Sequence, residues 1–91
     1  MSVIIKVPGS FSHLIGGNKE IACEANDIAG CIDTLELQFP GVKKQFCDEE
    51  GNLVDLVSIF VNGENIRFIN NLATSLKPGD EVSIMPTLAG G

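Results

Sequence analysis

The chain has 91 residues, 44% of them apolar and 20% charged, which is a globular composition with room for one domain. Twelve acidic against six basic side chains leave a net charge of −6 and a pI near 4.5, and the bases (Lys6, Lys19, Lys43, Lys44, Arg67, Lys77) are scattered apart from one adjacent pair; nucleic acid and anionic membrane, which call for clustered Lys and Arg, are not expected partners. Three cysteines without a C-x-x-C pair, and a single His13, form no zinc constellation and point to thiols kept reduced in a cytoplasmic compartment.

The opening MSVIIKVPGS does not read as a signal peptide, because no basic region precedes its short apolar run and Pro8-Gly9 cuts it off. Val3 to Val7, β-branched apart from Lys6, reads as a strand followed by a turn. Ser10 to Asn18, with Gly16-Gly17, is expected to be a loop. Lys19 to Glu24 alternates apolar and polar and would pair antiparallel with the first strand. Asn26 or Asp27 then offers an N-cap. Ile28, Cys31, Ile32, Leu35 and Phe39 follow at helical spacing, with Asp33 and Glu36 on the other side. Gly30 costs such a helix about 1 kcal/mol against Ala, so something must offset it. Pro40-Gly41 ends the helix.

Val42 to Phe46 adds a short helical turn, and Asp48 to Asn52 is an acidic loop with a solvated face. Val57 to Val61 is a strand. Asn62-Gly63 after it is a strong hairpin signal, since both central residues of a type I′ turn need positive φ. The returning strand is expected over Ile66 to Ile69, broken by Asn70-Asn71. Leu72 and Leu76 anchor an irregular turn, and Lys77-Pro78-Gly79-Asp80 is a loop. Glu81 to Met85 is the last strand, with Val82 and Ile84 pointing inward, and Pro86 is expected to stop it from pairing onward. Phe60 and Val61 must point to opposite sheet faces; the sequence alone leaves open which of them lies away from the helix. The order gives an α+β fold, a mixed sheet of four to five strands packed on one main helix. If the first and last strands are neighbours they pair parallel at the centre, which is the β-grasp, or ubiquitin-like, arrangement. Residues 1–86 would form the body and 87–91 a flexible C-terminal tail.

The tail Pro86-Thr87-Leu88-Ala89-Gly90-Gly91 reads either as a frayed terminus or as a segment built for chemistry at its end. At a Gly frequency of about 7%, a terminal pair arises by chance about once in 200 chains, so the pair alone is a modest signal. Its place directly after a strand strengthens it. Five residues beyond Pro86 span at most about 17 Å, enough to carry a carboxylate into a narrow site while the body stays outside. Glycine lacks Cβ and fits such a channel. A carboxylate, however, is a poor electrophile and must first become an activated ester or anhydride. Gly16-Gly17-Asn18-Lys19 lacks the spacing of a P-loop, so the activation is expected from a separate ATP-using enzyme and no cofactor is expected on the chain itself. A Cys/His nucleophile built on His13 is disfavoured, buried structural thiols being the default.

The stretch Val61 to Gly91 resembles the C-terminal third of the ThiS/MoaD ubiquitin-like sulfur carriers, through Val61-Asn62-Gly63, Leu76-Lys77-Pro78-Gly79-Asp80-Glu81-Val82 and the Ala-Gly-Gly end. Arg67-Phe68 through Leu72-Ala73-Thr74 is most similar to the CysO-type carriers of cysteine biosynthesis. The resemblance implies a β-grasp whose terminal glycine is adenylated by an E1-like adenylyltransferase and converted to a thiocarboxylate. In the CysO-type branch it further implies a pyridoxal-phosphate cysteine synthase as sulfur acceptor and a metalloprotease that releases the product. Gly91 would then bear the sulfur, and Gly90, Ala89 and Leu88 would thread into the partner's active site. Met85 occupies a tail-proximal apolar position that contacts the activating enzyme in that family, where an aromatic is common; Phe60 and Arg67 are further candidates for a partner-binding surface, Arg67 alternatively for an acid pair. The body would be a carrier and not an enzyme. Two other readings share the activation step: a ubiquitin-like modifier joined through Gly91 to target lysines, and the small subunit of a molybdopterin synthase.

Overall fold

The computed structural model describes residues 2–87. Five strands, β1 (Val3–Lys6), β2 (Glu20–Cys23), β3 (Val57–Val61), β4 (Glu64–Asn65) and β5 (Glu81–Pro86), form one mixed sheet in the order β2-β1-β5-β3-β4. β1 runs parallel to β5, with Ile4, Ile5 and Lys6 opposite Glu81, Val82 and Ser83; every other pairing is antiparallel. The expected first–last pairing at the centre of a ubiquitin-like sheet is therefore present.

Side-chain alternation decides which face is covered. Val3 and Ile5 of β1, Val57, Ile59 and Val61 of β3, and Val82 and Ile84 of β5 are buried, while Ile4, Lys6 and Phe60 are half-buried on the opposite face. The main helix, α2 (Ile28–Gln38), turns Ile28, Cys31, Ile32 and Leu35 into the same core. Asp27 caps it, its Oδ1 accepting the Gly30 N–H at 2.7 Å. Thr74 and Leu76 fasten the start of this helix, Ile28 N–H donating to the Thr74 carbonyl and Leu76 N–H to that of Asn26. A short helix, α3 (Val42–Phe46), adds Val42 and Phe46 beneath, and the Phe46 ring meets Phe11 at 5.9 Å between centroids.

Three expectations are corrected. Ser10 to Asn18 is not a plain loop: it holds a helical turn, α1 (Gly9–Ser12), and a 3-10 turn (His13–Ile15). Ile15 is fully buried, and its burial draws the segment onto the core. The glycine pair that suggested a loop is instead the stop of this turn, Gly16 and Gly17 having φ of 69° and 86°. The strand returning from the hairpin is Glu64–Asn65, not Ile66 to Ile69. Asn65 Oδ1 accepts the Arg67 N–H at 2.9 Å and caps a 3-10 turn over Ile66–Phe68, whose Ile66 is fully buried. The turn itself is as expected, with φ of 52° at Asn62 and 87° at Gly63. Finally, pairing continues through Pro86, which stands opposite Val57. Proline cannot donate there, but the Thr87 N–H does, to the Leu56 carbonyl at 2.8 Å.

Candidate functional site

The region of interest is where the chain leaves the sheet. β5 is central, yet β1 accompanies it only as far as Ser83. Met85 and Pro86 pair with β3 alone, opposite Ser58 and Val57. Among the described residues the end of the central strand is thus paired on one side only.

Thr87 is held at this exit. Besides its N–H bond to Leu56, its Oγ1 lies 2.6 Å from Ser58 Oγ. Ser58 is one of two buried polar residues among the described ones, on the sheet face away from α2. Beside it, Arg67 donates through Nη2 to the carbonyls of Val54 and Val57, each at 2.9 Å, and through Nη1 makes a long 3.4 Å contact with Ser58 Oγ. Among the described residues Arg67 forms no acid pair; its guanidinium braces the turn that leads into β3. The expected boundary between residues 86 and 87 falls within this set of bonds.

The other candidates divide. Phe60 is the member of its pair that lies away from the helix: Val61 is buried in the core, and Phe60 is half-buried opposite Ser83 and Asn65. Met85 is 45% exposed on the same face. Arg67 joins them there through Ser58. Leu88, Ala89, Gly90 and Gly91 lie outside the described residues. Sequence reasoning missed Leu56, Ser58 and Thr87, and read Phe68 as a core or sheet-face residue before a surface one. Leu56 and Phe68 are large apolar side chains left 72% and 84% exposed. Leu56 also lines a groove of about 370 Å³ at the root of the tail, with Phe11, Leu14, Phe46, Val57 and Pro86. Ser58 and Thr87 were missed as a pair, although a lone hydroxyl at an outward position of an otherwise apolar strand was a signal for the first.

Two sequence segments that stood out separately are joined in space. Asn62, at the hairpin tip, donates from Nδ2 to Asp80 Oδ1 (3.0 Å) and accepts the Glu81 N–H at Oδ1 (2.9 Å), while Asp80 Oδ2 accepts the Lys77 N–H (2.8 Å). The Lys77 N–H and the Asn62 amide hold the Asp80 carboxyl below its usual range. This knot fixes the start of β5, as the Thr87 bonds fix its end.

Among the described residues nothing else resembles a reaction centre. All three cysteines are free and buried. The Cys31 thiol is pushed up to about 12, chiefly by burial and then by its neighbour Cys23. Burial likewise raises Cys47, so both remain protonated thiols at neutral pH. His13 is exposed. An open cleft of about 830 Å³ beside Cys47 is lined by side chains of both signs, Glu36, Asp48 and Glu49 with Lys43 and Lys44. Among the described residues no group of three or more His, Cys, Asp or Glu could hold a metal ion, and no helix is long and apolar enough to cross a membrane.

The profile of the ThiS family matches residues 5–91. The chain is 33% identical over 93 residues to the sulfur carrier protein CysO of Mycobacterium tuberculosis, and 35% identical over 91 residues to a putative sulfur carrier protein of Archaeoglobus fulgidus; both matches cover the whole of each chain. Among solved structures, the complex of BexX and CysO from Amycolatopsis orientalis superposes with a TM-score of 0.89 at 30% identity, covering 98% of this chain and 99% of the other.

Proposed function

Because the chain belongs to the ThiS family, we propose that it is a sulfur carrier whose working group is the carboxylate of Gly91. That carboxylate attacks the α-phosphorus of ATP in an E1-like adenylyltransferase, pyrophosphate leaves, and an acyl-adenylate forms. A sulfide equivalent then attacks the acyl carbon and AMP leaves, so that one carboxylate oxygen is replaced by sulfur. The thiocarboxylate is a good nucleophile where the carboxylate was a poor electrophile. Its acceptor in this reading is an activated serine on a pyridoxal-phosphate cysteine synthase in the cytoplasm, and a metalloprotease afterwards frees the cysteine. The body catalyses nothing and binds no cofactor; ATP belongs to the activating enzyme.

The full-length likeness to carriers named CysO carries this reading. The geometry suits it, since the strand end that precedes Leu88, Ala89 and Gly90 in sequence is, among the described residues, paired on one side only. The exposed apolar side chains of Met85, Leu56 and Phe68 with half-buried Phe60, on an acidic body, give the activating enzyme a surface to dock against.

Intact mass after incubation with an E1-like adenylyltransferase, ATP and sulfide tests the reading. The expected result is the mass gain of one oxygen replaced by sulfur, abolished on deletion of Gly91 with the fold retained. An unchanged mass, together with a Gly-Gly remnant on target lysines in cells, would instead make the chain a protein modifier. A thiocarboxylate that transfers sulfur to a molybdopterin precursor, and not to the cysteine synthase, would move it to the other branch of the carriers.

A further inference from the structure

The hydroxyl pair at the exit is more than the end of a ladder. Regular β pairing stops at Val57 and Pro86, where the partner chain has already turned away into Val54–Leu56. Thr87 could have been released there. Instead it is gripped twice, by the Leu56 carbonyl and the Ser58 hydroxyl. The Leu56 carbonyl sits on a turn closed by a 3.2 Å bond from the Val57 N–H to the Val54 carbonyl. Arg67 closes the turn from outside, bridging the carbonyls on either side of Leu56, and a planar guanidinium suits such a two-point hold. Its positive charge near Ser58 Oγ favours Ser58 as acceptor on that side, which leaves the Ser58 proton for Thr87.

We propose that Ser58 and Thr87, braced by Arg67, form a latch that sets the direction in which the reactive tail leaves the body, so that these are positioning residues for activation of the terminal carboxylate. The inference rests on the sulfur-carrier reading for its activity readout, and on the fold alone for its structural one. Releasing the latch frees the backbone of one residue at the root of the tail. Ordering one residue is worth roughly a tenfold factor in an equilibrium. The docking surface on the body is untouched by the loss of a hydroxyl, so KM for the carrier should stay as it was. What falls is the fraction of docked carriers whose carboxylate meets ATP, and therefore kcat.

The test uses Ser58→Ala and Thr87→Val, with Thr87→Ser as the conservative control, and two measurements on the full chain. The first is amide hydrogen exchange at Thr87. Its protection should drop about tenfold in Ser58→Ala and in Arg67→Gln and be kept in Thr87→Ser, with Ser58→Ala still folded and its melting temperature lowered by no more than the loss of about one hydrogen bond explains. The second is ATP–pyrophosphate exchange by an E1-like adenylyltransferase from the same genome, in which Ser58→Ala and Thr87→Val should lose about tenfold in kcat at unchanged KM while Thr87→Ser retains it. Parental Thr87 protection in Ser58→Ala overturns the latch, and so does parental kcat in both loss variants. If the parent chain supports no exchange at all, the carrier reading fails and the amide measurement alone decides the latch.

Discussion

Asn62 and Asp80, 18 residues apart, are bonded side chain to side chain at 3.0 Å, and the same asparagine holds the Glu81 N–H. A hairpin tip is thereby tied to the loop that launches the central strand. Asn62→Gly keeps the left-handed backbone and removes only the side chain. At about 0.5–1.5 kcal/mol for each lost hydrogen bond, the variant should be less stable by about 1–2 kcal/mol. For a domain of this size that lowers the melting temperature by roughly 5–10 °C. A thermal melt within error of the parent would show that the knot does not bear on stability.

Glu36 gives a prediction with a pH signature. Its carboxylate accepts the Gly41 N–H (3.0 Å) and the Lys43 N–H (2.8 Å), spanning the gap between α2 and α3. These bonds, Gly41 first, hold its carboxyl below the ordinary 4.5. A carboxyl depressed in the folded state stabilises that state fully above its unfolded pKa and ceases to do so as pH falls through the folded one. Glu36→Gln should therefore melt below the parent at pH 7, with the difference closing as the pH is taken beneath 4.5. A gap that is the same at every pH would assign the effect to packing instead of charge.

Gly30 in the first turn of the main helix is explained by Asp27. A Cβ on Gly30 would lie 3.1 Å from Asp27 Oδ1, the atom that caps the helix. Gly30→Ala should thus fail to deliver the roughly 1 kcal/mol that helix propensity promises. Asp27→Ala should cost about 1 kcal/mol. In that second background Gly30→Ala should become stabilising, because the crowding oxygen is gone. Additive single effects in this double-mutant cycle would mean that cap and glycine are independent.

Met85→Asp and Phe68→Asp probe the proposed docking surface. Both side chains are exposed, so stability should change by no more than about 0.5 kcal/mol. An interface side chain that matters contributes more than about 1 kcal/mol, so KM for the adenylyltransferase should rise several-fold at unchanged kcat. This is the opposite split from the one expected of the Ser58–Thr87 latch, and the two sets of variants check each other.

How much of this could be read from residues alone depends on how local the cause was. Asn62-Gly63 announces its turn because two successive positive φ angles are a property of those two residues. Ile28, Cys31, Ile32 and Leu35 announce a helix by spacing, and Val82 and Ile84 a strand by alternation. Ile15 and Ile66 could not be placed that way. Each enters the core from a short 3-10 turn with no period to detect, and the burial that justifies each comes from distant strands. Arg67 was legible as a candidate but not in its role, since the carbonyls it holds belong to Val54 and Val57 across a turn. The Ser58–Thr87 contact, across 29 positions, was not legible at all.

The central position of β5 has a consequence for how the protein is made. β5 is the last of the five strands to leave the ribosome, yet β1 and β3 both need it as their neighbour. Until it emerges, the nascent chain holds two separate pieces of sheet, each with an unsatisfied edge. A chain broken off before Glu81 has nothing to join them. The sheet can therefore close only in chains read through to the end of its central strand, so that the finished body is itself a mark of complete translation as far as β5.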